Sequence, residues 1–238
     1  MSSTLQTPNE LRLRLQDVRS RIEKAAKRSH RDPAAIKLVA VSKTHPAQVV
    51  REAIDAGVTD LGENRVQEAE TKIGDLGNAA RWHLIGHLQS NKARRAVQLF
   101  DMIHSLDSAA LAQKLDRACA QENRISLPVL IQVDLGNEAT KSGATEDELP
   151  AIVEAVRSSK HLRLVGLMTL PPFFDDAELV RPFFVRLRGL RDELRAQGIF
   201  GNDQGELSMG MTHDFEVAIE EGATIVRVGT AIFGQRPQ

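Results

Sequence analysis

The spacing of hydrophobic and polar positions changes character once along the chain. Near the amino end, Leu11, Leu15, Val18, Ile22 and Ala26 recur every three or four residues, the one-sided stripe of an amphipathic helix. Thr7, Pro8 and Glu10 introduce it as a capping box, with Thr7 at the N-cap and Pro8 at the first helical position, so a helix is expected to about Ser29. After Ile36 the pattern becomes short, β-branched apolar runs separated by helical intervals. Runs of this kind read as buried parallel strands. They are expected at residues 38–42, 60–62, 82–85, 102–105, 129–133, 164–168, 206–209 and 225–228, with helices between them, for example at 46–56, 108–121, 146–158 and 177–196.

Eight strands alternating with helices are what a closed (β/α)8 TIM barrel requires, and 238 residues is close to its usual size of about 250. A doubly wound open sheet is the alternative. Nothing long enough to be a helix follows the last strand, so the leader helix is expected to pack over the gap between the last and first strands. The organisation expected is therefore residues 1–32 as an extra N-terminal helix and residues 33–238 as a single barrel domain.

Composition narrows the function classes. A hydrophobic content of 42% supports a sizeable core, and no Pro/Gly/Ser-rich linker divides the chain. A formal charge of −1 gives no global attraction to nucleic acid or to an anionic membrane. Arg19, Arg21, Lys24, Lys27, Arg28 and Arg31 make the leader look basic, but acidic residues alternate with them and no aromatics interleave, which reads as a solvated helix face. Cys119 is the single cysteine, so no intrachain disulfide is possible, and it falls on the apolar side of a helix as a packing residue. The amino end lacks the apolar core of a signal peptide, and no run is long enough to cross a bilayer. A cytoplasmic protein is expected, with neither nucleic acid nor membrane as partner.

Candidate chemistry begins at Lys43, where the apolar run of the first strand stops and a loop begins before Pro46. Carboxyl ends of barrel strands line the active face. A partly desolvated amine there can attack a carbonyl carbon to form a Schiff base, or the lysine simply reaches from a strand end to water. Two small-residue turns, Ser208-Met209-Gly210 and Gly229-Thr230-Ala231, follow the seventh and eighth strands. Loops at those positions form a recurrent phosphate site, built from main-chain N–H groups with help from hydroxyls. Arg227 interrupts the apolar run of the last strand and shares a face with Ile225 and Gly229. Turned inward, it needs an acceptor, either a salt bridge from a neighbouring strand or the ring nitrogen of a bound pyridine. His83 and His87 are four apart, but a strand and Gly86 separate them and no third ligand is near, so no metal site is expected. Phe173, Phe174, Phe183 and Phe184 surround a proline-containing loop and are expected in core or lid packing.

A lysine at a strand end, a phosphate cradle and a strand arginine fit an aldehyde, a phosphate and a ring nitrogen on one heterocycle. The stretches AVSKTHP, GENRVQE, WHLIGHLQSNK, HSLDS, GNEATKSG, GLMTLPP, SMGMTHDFEVAI and VRVGTAIFG, in this order, resemble the YggS/PROSC family of pyridoxal-phosphate-binding proteins, relatives of the alanine racemase N-terminal barrel. The resemblance implies pyridoxal 5'-phosphate as cofactor, Lys43 as its internal-aldimine lysine, Arg227 toward the pyridine nitrogen, Asn64 beside the ring, and Ser208, Met209, Gly210, Gly229 and Thr230 around the phosphate. Thr212, His213 and Asp214 depart from the family's usual continuation, although Thr212 keeps a hydroxyl for a helix N-cap.

The resemblance further implies a non-enzymatic role in vitamin B6 and amino-acid homeostasis, with apo-enzymes as recipients of the cofactor. A guanidinium opposite the pyridine nitrogen weakens the electron sink. The related racemase takes a second base as a tyrosine from an additional domain; this sequence has no tyrosine, and without that domain a monomer is expected. Two alternatives remain open at this point: a weak pyridoxal-phosphate-dependent amino-acid racemase using a histidine as second base, and a Schiff-base phosphosugar aldolase.

Overall fold

The computed structural model describes residues 8–136 and 142–235. Thr7, the expected N-cap, lies outside the described residues, as do residues 137–141 of the GNEATKSG stretch. The leader forms helix α1 (Pro8–Arg28), whose stripe of Leu11, Leu15, Val18, Ile22 and Ala26 is buried in the main core. Its basic residues do more than meet solvent. Arg21 Nε pairs with Glu216 Oε1 at 2.7 Å, Arg28 Nη2 with Glu220 Oε1 at 2.8 Å, and Arg19 Nη2 donates to the Gly57 carbonyl at 2.7 Å. Each such half-exposed pair contributes up to about 1 kcal/mol, so burial of the stripe dominates the docking of α1.

Eight parallel strands close in sequence order into a barrel: β1 (Lys37–Val41), β2 (Asp60–Glu63), β3 (Arg81–Leu84), β4 (Met102–Leu106), β5 (Leu127–Gln132), β6 (Leu162–Met168), β7 (Glu206–Ser208) and β8 (Ile225–Val228). The seam is β8 against β1, with Val39 opposite Arg227 and Ala40 opposite Val228. The surrounding helices are α2 (Ala47–Asp55), α3 (Val66–Leu76), α4 (Ala93–Leu99), α5 (Ala109–Gln121), α6 (Leu149–Arg157), α7 (Arg181–Ala196), α8 (Phe215–Glu220) and the single turn α9 (Thr230–Phe233). Helix α1 packs on α8, α9 and α2, over the gap at the seam.

Two expected helices start later than their sequence pattern suggests. Glu146–Glu148 and Ala177–Val180 are 3-10 turns, and the α-helices begin only with Pro150 and Pro182 in their first two positions. Proline lacks the N–H that the first helical turn leaves unused, so it marks the start of regular α-helix. Among the described residues no helix is long and apolar enough to cross a membrane.

Val39, Leu130, Val165, Met168 and Ile225 form a small apolar cluster inside the barrel, separate from the larger core between strands and helices. Val165 and Met168, three apart on β6, both reach it because the pairing of β5 with β6 shifts register between Val129 and Leu130, which interrupts simple alternation. Barrel interiors are usually filled by such branched residues. Here His83, His104, Ser208 and Arg227 are buried as well.

Candidate functional site

A cavity of about 460 Å³ opens at the carboxyl ends of the strands, within the size range of small-ligand sites. Lys43, Asn64, Arg227, Gly229 and Thr230 line it together, so five of the eight residues singled out from sequence meet on one wall. Its lining carries the basic side chains of Lys43, His87, His213 and Arg227 against one carboxylic acid, Asp214. That imbalance favours an anionic ligand.

Ser208, Met209 and Gly210 stand behind this wall. Ser208 Oγ is fully buried and accepts from Arg227 Nη1 at 2.6 Å. The Met209 side chain is core, and its N–H donates to the Ile225 carbonyl at 3.1 Å. Gly210 has φ +91°, and a Cβ there would lie 2.6 Å from the Ala218 Cβ, so the turn into α8 needs glycine. Gly86 is equally constrained, since its Cβ would fall 2.4 Å from the Asn64 carbonyl oxygen, and this close approach brings Asn64 to the cavity.

Arg227 is 2% exposed, and no carboxylate forms a salt bridge with it among the described residues. The salt bridge considered from sequence is replaced by two hydrogen bonds, Nη1 to Ser208 Oγ and Nη2 to the Thr169 carbonyl at 2.8 Å. Burial pulls the guanidinium down to about 10, with Asp214 opposing, so it stays a cation at neutral pH. A polar thread continues from it through the barrel. Ser208 Oγ meets His104 Nδ1, His104 Nε2 meets His83 Nδ1, and His83 Nε2 meets Asp60 Oδ1, each at 2.9 Å. A guanidinium only donates and a carboxylate only accepts. Donors all pointing from Arg227 toward Asp60 therefore satisfy every member of the thread.

The loop that carries Lys43 rests on a second buried network. Lys72 of α3 donates to the Ser42 carbonyl at 2.6 Å, to Glu63 Oε1 at 2.6 Å and to Glu68 Oε1 at 2.8 Å. Burial pushes the Glu63 carboxyl up, with Lys72 and the Ser42 hydroxyl opposing. The sequence reading missed Lys72, Glu68, His104, Asp60 and Thr169. A signal existed for two of them: Lys72 continues the buried stripe of Val66, Ala69 and Leu76, and His104 sits in the middle of an apolar strand.

Around the rim, three sequence readings need correction or detail. Thr212 does not cap α8; Asp214 occupies the N-cap position and its Oδ1 accepts from Met211 N–H at 2.6 Å, while Thr212 Oγ1 accepts from Ala231 N–H at 3.4 Å. His213 Nε2 donates to the Asp175 carbonyl at 2.9 Å, and its ring lies 5.3 Å from that of Phe173. Phe184 is core and Phe174 stacks on Phe183, but Phe173 is 72% exposed at the cavity mouth. His83 is inside the barrel whereas His87 is at the cavity, with Nδ1 3.0 Å from Asp107 Oδ2.

A closed parallel barrel with a strand-end lysine and a buried strand-eight arginine places the chain in a known class. The family model described as alanine racemase, N-terminal domain, matches residues 13–237. A protein of Aquifex aeolicus named pyridoxal phosphate homeostasis protein is 45% identical, over 94% of this chain and 97% of its own length. One of the same name from Escherichia coli strain K12 is 41% identical, over 96% and 97%. The structure of PipY from Synechococcus elongatus PCC7942 with PLP bound superposes with a TM-score of 0.82 at 40% identity, covering 94% of this chain and all of that one. The chain belongs to the alanine racemase N-terminal domain family and, within it, to the pyridoxal phosphate homeostasis proteins.

Proposed function

We propose that this protein binds pyridoxal 5'-phosphate through Lys43 and serves in its homeostasis rather than in amino-acid turnover. The observation that carries this reading is the meeting of Lys43, Asn64, Arg227, Gly229 and Thr230 on one cavity. The residues fit the group: a buried guanidinium lacking a carboxylate faces a cavity of suitable size, with basic side chains around it and glycine turns at its end. When bound, pyridoxal phosphate supplies an aldehyde that condenses reversibly with a primary amine, one water leaving as the carbon–nitrogen double bond forms.

Each side chain then has a task. Lys43 provides the amine, and Arg227 donates toward the ring nitrogen while Ser208 and Thr169 hold it from behind. Asn64 lies against the ring. Main-chain amides of the Gly229-Thr230 turn and of Gly210, with the Thr230 hydroxyl, take the phosphate, because the Met209 N–H is already bonded to the Ile225 carbonyl and the Ser208 hydroxyl to Arg227 and His104. A guanidinium at the ring nitrogen keeps that nitrogen unprotonated and weakens its use as an electron sink. This supports holding and release of the cofactor over catalysis; in this reading apo-enzymes are the recipients and a cytoplasmic monomer is the working form. Purified protein with added pyridoxal phosphate should show a visible absorbance band and, after borohydride, a mass increase on Lys43. Lys43→Ala should lose both; an unchanged spectrum in that variant sinks the assignment.

A further inference from the structure

Both residues flanking Lys43 are fastened to one buried cluster. An ammonium has three N–H donors, and Lys72, 4% exposed, uses all three, on Ser42 O, Glu63 Oε1 and Glu68 Oε1. Ser42 is held a second time, because its hydroxyl donates to Glu63 Oε1 at 2.6 Å. On the other side of Lys43, the Thr44 main-chain N–H donates to Glu68 Oε1. Thr44 has φ +68°, a left-handed conformation that a β-branched residue adopts only under constraint. A buried ion pair is weak support for stability, since desolvation offsets its attraction, and is better understood through the geometry it enforces.

We propose that Lys72 and Glu68 are positioning residues for Lys43: together they clamp the carbonyl of residue 42 and the amide of residue 44, and so aim the intervening lysine into the cavity. The inference rests on the function proposed above. Lys72 fixes where β1 ends, and Glu68 holds Thr44 left-handed, which sets the orientation of the peptide between 43 and 44. Without the clamp, Thr44 relaxes toward ordinary φ, that peptide turns, and the Lys43 amine starts from the wrong place. The arginine and the phosphate turns belong to β8 and to the loops after β7 and β8, on other elements, so their grip on the ligand is independent of the clamp.

Two probes separate these contributions in the full chain. Pyridoxal phosphate uses every part of the site, whereas pyridoxamine phosphate has no aldehyde and cannot link to Lys43. In Lys72→Met, the dissociation constant for pyridoxal phosphate should rise between about tenfold and a hundredfold, the range that a small misplacement of a reacting group produces. That for pyridoxamine phosphate should stay within about twofold, as Arg227 and the phosphate turns, which carry most of its grip, lie on other elements. Glu68→Ala, at a half-exposed position, should give the same split and carries the test if Lys72→Met does not fold. Adding Thr44→Asn to Glu68→Ala should restore most of the loss, because asparagine tolerates left-handed backbone. Equal weakening of both probes, or no change in either, overturns the proposal. If the unaltered chain gives no borohydride-stable mass increase on Lys43, the function reading itself fails, a result distinct from any outcome in the variants.

Discussion

Arg227 Nη1 lies 2.6 Å from Ser208 Oγ, so the cation that faces the cavity is held by a hydroxyl rather than by a carboxylate. A carboxylate in that place would neutralise the guanidinium and compete for its donors. Arg227→Leu should therefore weaken pyridoxal phosphate binding by about tenfold to a hundredfold, the equivalent of one charge-assisted hydrogen bond. Linkage to Lys43, read by mass after borohydride at saturating ligand, should persist. Unchanged affinity in this variant would mean that the arginine does not meet the ring.

The thread behind Arg227 makes stability depend on pH. His104 is fully buried, and burial first, then neighbouring groups that include the Arg227 and Lys37 cations, hold its pKa well below the ordinary histidine value. Neutral when folded, it takes up a proton more readily once unfolded. Its contribution is complete above the unfolded pKa of about 6.5 and declines as pH falls below it, by up to about 1.4 kcal/mol per pH unit. Asp60, depressed by hydrogen bonds from His83, Arg81 and Thr59 against the effect of burial, adds a second loss only below its own unfolded value of about 3.9. Melting temperature should thus fall between pH 7 and pH 5, and His104→Gln should flatten that slope. Parallel curves for the two proteins would contradict the assignment.

Cys119 is buried in α5, and burial pushes its thiol up to about 11 despite the nearby Arg124. The thiolate is the reactive species. Iodoacetamide at neutral pH should leave the folded protein unmodified and alkylate it fully in denaturant, as read by intact mass. Labelling of the native chain would show that the thiol is accessible.

The frame of the site was legible in the sequence because barrel topology fixes what strand ends and final loops do. Lys43, Arg227, Gly229 and Thr230 stood out as exceptions to local patterns, and one cavity unites them. The supporting residues were harder to see. Glu68 and Lys72 are spaced four apart on a helix, a pairing that usually marks a solvated face, and only the packing of α3 on β2 brings Lys72 inward to Glu63 and the Ser42 carbonyl. Ser208 read as a phosphate donor because its turn has the right place and chemistry. Strand alternation instead points its hydroxyl into the barrel, toward Arg227 and His104, and a three-residue strand gave too short a pattern to reveal that.

Gly210 joins the barrel interior to the turn proposed for phosphate. Its carbonyl accepts from Arg227 N–H at 3.0 Å, its φ is +91°, and an added Cβ would meet Ala218 Cβ at 2.6 Å and Phe215 Cα at 2.9 Å. Gly198 also has positive φ, at +73°, but has nothing within 4 Å of a built Cβ. The two glycines separate backbone strain from crowding. Gly198→Ala should lower unfolding free energy by about 1 kcal/mol, the penalty of a left-handed alanine, whereas Gly210→Ala adds overpacking and should lose about 2–5 kcal/mol. Urea unfolding measures both. Because Gly210 also holds the Arg227 backbone, its variant should bind pyridoxal phosphate more weakly while Gly198→Ala binds normally; equal losses of stability in the two would show that the turn into α8 can yield, and that its tightness does not shape the site.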